Sequence, residues 1–304
     1  MLAENPPAWF LFGEAVVTAV LDELGGQKSG LLAALRRSIS RDEFFAGLYI
    51  LGCINGLGAN IISSLRGGDW TGGVQNISVI VLFACGAGIS LFLDNKRNKV
   101  DEIAARDLAT ALVFLALILV PASEINWVAV TGLSFYILLF ANDHATRKRG
   151  ALIMLAVTVP MFWSKLLFSF ISQPFLDFDA WLVGWELGTH RSGNIVSFHD
   201  GSGELVIMPA CASLANVSLA FLCWVGFSQW VDHRPSRRDI LWCLLVCCSV
   251  IALNVTRISI MGLSQWHYQT FHLGWGATLF NAVILVCTVG ITMLGLRREL
   301  FSDA

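Results

Sequence analysis

The chain has 304 residues, 56% of them hydrophobic and 14% charged, with a formal net charge of −2. A mean hydropathy of +0.67 and an isoelectric point near 6.3 exclude an ordinary soluble globular domain and a broad basic surface for nucleic acid. The composition predicts an all-α protein that crosses a membrane several times.

Residues 1–42 hold an apolar piece from Ala8 to Leu21, interrupted by Glu14. It is too short to cross about 30 Å of hydrocarbon and reads as interfacial or packed on the core. It has neither a basic start nor a clear small-residue cleavage site, so no removable signal peptide is expected. Eight apolar runs follow, at 43–65, 74–93, 107–123, 125–141, 150–171, 210–230, 239–259 and 273–296. Most have about 20 residues, enough for one helical crossing each. The third and fourth are nearly contiguous around Glu124, which predicts a tight hairpin at a membrane surface with Trp127 in the interface. Residues 43–296 thus read as an eight-helix bundle within a single integral membrane domain spanning 1–304.

Basic residues orient the bundle, because loops rich in Lys and Arg stay cytoplasmic. The clusters are Arg36/Arg37/Arg41, Lys96/Arg97/Lys99, Arg147/Lys148/Arg149, Arg234/Arg237/Arg238 and Arg297/Arg298. With eight crossings all of them fall on one side, and one crossing more or fewer would divide them. The opposite, extracytoplasmic face of a cell inner (plasma) membrane then receives the turn near Asp69, the hairpin at Glu124, a long segment 172–209 and the stretch 260–272. Within the long segment, Pro174 to Leu187 alternates apolar and acidic residues with Trp181 and Trp185 four apart. This predicts an amphipathic helix lying on the membrane. Gly193 to Met208 predicts a hairpin of two short strands around a Gly-rich turn. Together they would cap the bundle.

Seven of the eight cysteines (Cys53, Cys85, Cys223, Cys243, Cys247, Cys248 and Cys287) lie inside apolar runs, where they pack as small hydrophobes. Cys211 alone stands at the edge of a run beside polar sequence, two residues after Pro209 at the predicted start of a helix. Free N–H groups and the helix dipole there favour a thiolate. The predicted topology brings two other residues to the same depth: Arg257 at the outer end of the seventh run and His272 at the start of the eighth. His272 could act as a general base or as the cation of an ion pair, and Arg257 could hold an oxyanion or a substrate carboxylate. The same groups also suit ordinary roles at helix ends, with Arg257 snorkelling to the interface.

Asn254 precedes Arg257 by one turn, and Ser213 and Asn216 follow Cys211 within the first turns of the sixth run. All three are candidates to line the cleft, or equally to cap and glue helices. His190, His199 and His267 share the outer face, but their spacing lacks an HxxxH or HExxH arrangement, so neither a metal nor another cofactor is expected. Lys165 reads as a snorkelling residue.

Several blocks in fixed order resemble the exosortase/archaeosortase family of membrane transpeptidases. They are Leu182 to Gly188 (LVGWELG), Gly193 to Val196 (GNIV), Ala210 to Ser213 (ACAS), Asn254 to Ile258 (NVTRI), and Phe271-His272 followed by Gly274-Trp275. The resemblance implies a catalytic Cys-Arg-His triad at Cys211, Arg257 and His272. It also implies a cysteine transpeptidase that cuts the C-terminal sorting tails of membrane-anchored exported proteins and transfers the new carboxyl end to a surface acceptor, such as a polysaccharide or a lipid-linked group. Ser213 and Ala215 depart from the family's usual glycine and polar or basic residue at those places, so the immediate cleft differs. Two other functions fit the same residues. One is a non-enzymatic transporter or assembly factor for surface polysaccharide, with Arg257 on an anionic headgroup. The other is a membrane acyltransferase using His272 as base.

Overall fold

The computed structural model describes residues 40–66, 78–94, 103–140 and 144–297. The N-terminal apolar piece, the clusters at 36–37 and 96–99, and the turn near Asp69 lie outside them. The described residues gather into two compact units, one within Met1–Ile77 and Cys85–Leu155, the other within Ser78–Ala84 and Ala156–Ala304.

The first unit is built from helices α1 (Arg41–Arg66), most of α2 (Val79–Leu93), α3 (Ala105–Ile118), α4 (Ser123–Phe140) and the start of α5 (Ala145–Thr158). Ser40 and Glu43 form a reciprocal cap that starts α1, with backbone bonds of 3.2 and 2.9 Å. Charges at the helix starts are buried in pairs. Asp107 accepts from Arg41 at 2.7 Å and from Tyr136 at 2.6 Å, and Arg147 bonds Asp42. Around the α3–α4 turn a polar set closes the loop: Asn126 receives Asn55 at 3.1 Å and donates to Ala122 O at 2.7 Å, and Ser123 reaches Gly56 O at 3.1 Å. Trp127, expected at the interface, is instead fully buried. A slot explains this, because a Cβ on Gly56 would lie 2.9 Å from its ring.

The second unit carries the polar cap. A π-helical turn at Val159–Trp163 takes up Pro160, which has no N–H to donate. It leads into α6 (Ser164–Leu187), which is kinked at Ile171 (φ −132°, ψ 40°), three residues ahead of Pro174. The fifth apolar run thus ends at the kink, and the segment expected as a surface helix follows it as a second helical piece. The pieces from Ala145 to Leu187 together have 43 residues, about twice what one crossing needs. Beyond the kink, Leu176, Asp179, Ala180 and Val183 are buried while Trp181 and Trp185 remain 52% and 79% exposed, a helical period with two faces. Gly188 ends the helix in the left-handed region at φ 67°.

A three-stranded antiparallel sheet follows, β1 (Arg191–Ser192), β2 (Ile195–Ser197) and β3 (Glu204–Val206), in that order. The sequence suggested two strands. The third arises because Gly193, at φ 59°, makes a two-residue turn with Asn194 that pairs Ser192 with Ile195. Val196, Leu205 and Ile207 face inward onto Leu176, Ala180 and Val183 of α6, and His199 N–H bonds Gly262 O at 2.9 Å. After a 3-10 turn at Pro209–Cys211 come α7 (Ser213–Trp230), α8 (Arg237–Met261), the short α9 (Gln265–Tyr268), a π-helical turn at Gln269–Leu273, and α10 (Trp275–Gly295).

Every apolar run coincides with a helix, but among the described residues five stretches are long and apolar enough to cross: Arg41–Ile62, Ser123–Phe140, Ala145–Leu187, Arg237–Met261 and Trp275–Gly295. The count of eight is not reached by length and composition. Helix α3 has 14 residues, about 21 Å, short of a crossing. Helix α7 has 18 but carries Ser213, Asn216, Ser218, Ser228 and Gln229.

Candidate active site

Cys211 is the last residue of the 3-10 turn, and an extended Ala212 (φ −65°, ψ 144°) separates it from α7. The thiol therefore precedes the helix rather than opening it. Pro209 starts the turn, and the Cys211 N–H closes it on Met208 O at 2.9 Å. The first free N–H of α7, on Ser213, is taken by the Asp179 carboxylate of α6 at 2.8 Å. The open anion site expected at this helix start is thus already filled by a carboxylate.

His272 approaches from the π-helical turn, with its Nδ1 3.8 Å from the Cys211 Sγ. Its ring stacks on Tyr268, with centroids 5.0 Å apart and planes at 25°. Gly276 lets Phe271 fold back over the start of α10, since a Cβ there would lie 2.4 Å from the Phe271 ring.

Asn254, fully buried on α8, ties the site together. Its amide donates to Cys211 O at 2.8 Å and to Ser213 Oγ at 3.1 Å. Its carbonyl oxygen accepts from Arg257 Nη2 at 3.1 Å and from Asn216 Nδ2 at 3.3 Å. The Arg257 Nε is buried and bonds no atom among the described residues. The geometry thus brings all six sequence candidates, Cys211, Arg257, His272, Asn254, Ser213 and Asn216, into one connected cluster. Asn254 and Ser213 spend their polar atoms inside the protein, whereas Asn216 is half-buried.

The electrostatics favour neutral partners. Burial pushes the Cys211 thiol above its ordinary range, a push that Arg257 opposes and Asp179 reinforces. Burial, and then the Arg257 charge, hold His272 below the usual histidine range. A neutral imidazole carrying its proton on Nε2 leaves Nδ1 free to accept from the thiol.

Asp179 was missed by sequence reasoning, although a signal was present. It occupies the i+3 place after Leu176, on the face that Ala180 and Val183 mark as buried. Glu186, on the same helix, accepts from Ser259 Oγ at 2.8 Å. Lys165 is exposed. His267 bonds Ser264 Oγ at 2.8 Å, and among the described residues no group of three His, Cys, Asp or Glu is placed to hold a metal ion.

The model of the transmembrane exosortase family matches residues 69–290, a range that includes every residue of this cluster. The chain belongs to that family. Membership gives this exosortase a membrane transpeptidase-like role in general, and its long apolar helices agree with a multi-pass membrane protein. Comparisons with curated proteins and with solved structures gave no match.

Proposed function

We propose that this exosortase-family protein is a membrane-embedded cysteine transpeptidase that cleaves C-terminal sorting tails of exported proteins and transfers them to a surface acceptor. The observation that carries the reading is the 3.8 Å approach of Cys211 Sγ to His272 Nδ1, with the Arg257 charge acting on both groups. Cys211 attacks the scissile carbonyl while its proton passes to His272 Nδ1. Arg257 faces the oxyanion with donors it does not spend on Asn254. Collapse breaks the C–N bond, the imidazolium protonates the leaving amine, and a thioester remains. An acceptor amine, hydroxyl or water then attacks the thioester, giving its proton to His272, and the thiol is restored. Asn254 and Ser213 act by holding the Cys211 backbone, and Asn216 is left to meet the tail.

In this reading the chain crosses the inner membrane eight times with its basic clusters in the cytoplasm. The site opens on the extracytoplasmic face under the cap of residues 172–209. The test is processing of a tailed reporter in cells carrying Cys211→Ala or Cys211→Ser; both are expected to leave it uncut. Intact processing in Cys211→Ala, with loss of polysaccharide export in Arg257→Ala, would favour a non-enzymatic assembly factor. Substantial activity in Cys211→Ser would favour an acyltransferase with His272 as base.

A further inference from the structure

We propose that Asp179 is a positioning residue for the Cys211 sulfur: with Asn254 it clamps the backbone from Cys211 to Ser213 between α6 and α8. The inference rests on Cys211 being the nucleophile. Asp179 is 2% exposed, and its Oδ2 receives the Ser213 N–H at 2.8 Å from 34 residues away. The Ser213 hydroxyl also interacts with this carboxylate, and it accepts from Asn254 at 3.1 Å. Asn254 in turn donates to the Cys211 carbonyl at 2.8 Å. Two consecutive peptide groups, those linking Cys211 to Ala212 and Ala212 to Ser213, are therefore gripped from opposite helices, one through its C=O and the other through its N–H. Ala212 between them is extended and makes its own N–H bond only within the turn, to Pro209 O at 3.3 Å. Without the clamp the sulfur is held chiefly by that turn.

A carboxylate at a helix start is often no more than a cap. This one differs because the group it caps is two residues from the sulfur, and because its charge reaches the thiol. The charged and titratable groups facing Cys211 are Asp179 from α6, Arg257 from α8 and His272 from the π-helical turn. Tyr268 of α9 stacks on His272, and Glu186 is engaged with Ser259. Arg257 lowers the thiol and Asp179 raises it.

The test uses the full-length protein in nanodiscs. Cys211 alkylation by iodoacetamide is followed against pH by mass spectrometry of its peptide, beside cleavage of a tailed reporter peptide. Asp179→Asn keeps an acceptor for the Ser213 N–H and drops the charge; its alkylation profile should move to lower pH with most cleavage retained. Asp179→Ala drops both and should lose about a hundredfold in kcat with little change in KM, the scale of a small misplacement of reacting atoms. An Asp179→Asn profile identical to wild type, or wild-type kcat in Asp179→Ala, would overturn the proposal. If Asp179→Ala does not accumulate, the Asp179→Asn profile decides. A shifted profile in a protein that cleaves no tail would sink the transpeptidase reading and leave the clamp standing.

Discussion

Replacing Asn254 by alanine removes one amide on which four groups depend. Ser213 Oγ keeps Asp179 as a partner, and the half-buried Asn216 can turn to solvent. The Cys211 carbonyl, bonded at 2.8 Å, and the Arg257 guanidinium, bonded at 3.1 Å, have no replacement on hand. An unsatisfied buried group costs about 1–3 kcal/mol. Arg257 is only partly buried, so the lower part of the range applies to it, and the pair comes to about 3 kcal/mol. Expressed as lost alignment, this is about a hundredfold in rate, at 1.36 kcal/mol for each factor of ten. The assay is the single-turnover rate of thioester formation with a tail peptide in nanodiscs, beside thermal unfolding of the same sample. Asn254→Asp, which keeps an acceptor for Arg257 and loses the donors, should fall between wild type and alanine. An Asn254→Ala protein that acylates at the wild-type rate would refute the reasoning.

Arg257→Gln removes the charge that lowers the thiol, so the Cys211 alkylation profile should move to higher pH, opposite to the Asp179→Asn shift. His272 is held below its ordinary range, so the stability it contributes is present above the usual histidine range and is lost as pH falls through its depressed value. Acidification from neutral pH should thus lower the unfolding temperature of wild type more than that of His272→Gln. Gly274→Ala would set a Cβ 2.8 Å from the Thr270 carbonyl oxygen, a backbone atom of the π-helical turn. Overpacking of about 1–3 kcal/mol should open that turn and slow thioester formation, whereas Gly47→Ala, with nothing within 4 Å, should leave it unchanged. Asp107→Ala strands the buried Arg41, and the loss of about 3–5 kcal/mol expected for a broken buried pair should appear as a lower unfolding temperature.

The sequence carried the helices because apolar runs are long-range averages that survive local exceptions. It brought Cys211, Arg257 and His272 to one level because charge bias fixes which end of each run faces out. What it could not carry were relations between distant residues. Nothing local tells that Trp127 enters a slot left by Gly56, or that Asp179 seeks an N–H 34 residues away. The hairpin was undercounted because a pair of residues, Arg191 and Ser192, is too short to show alternation. Helix length and composition among the described residues support five of the eight expected crossings, because hydropathy marks apolar segments without measuring the helix that forms: α3 stops at Ile118, several residues before its apolar run ends.

Only Ile207 and Met208 lie between the last strand of the cap and the turn that bears the sulfur. Asn194 binds Ile207 through both backbone groups, accepting its N–H at 2.9 Å and donating to its carbonyl at 3.0 Å. The Cys211 sulfur is therefore tethered to the sheet by two residues as well as to α6 and α8 through Asp179 and Asn254. Any displacement of the sheet is passed within two residues to the turn that carries the sulfur, so the position of the sheet and that of Cys211 are mechanically one.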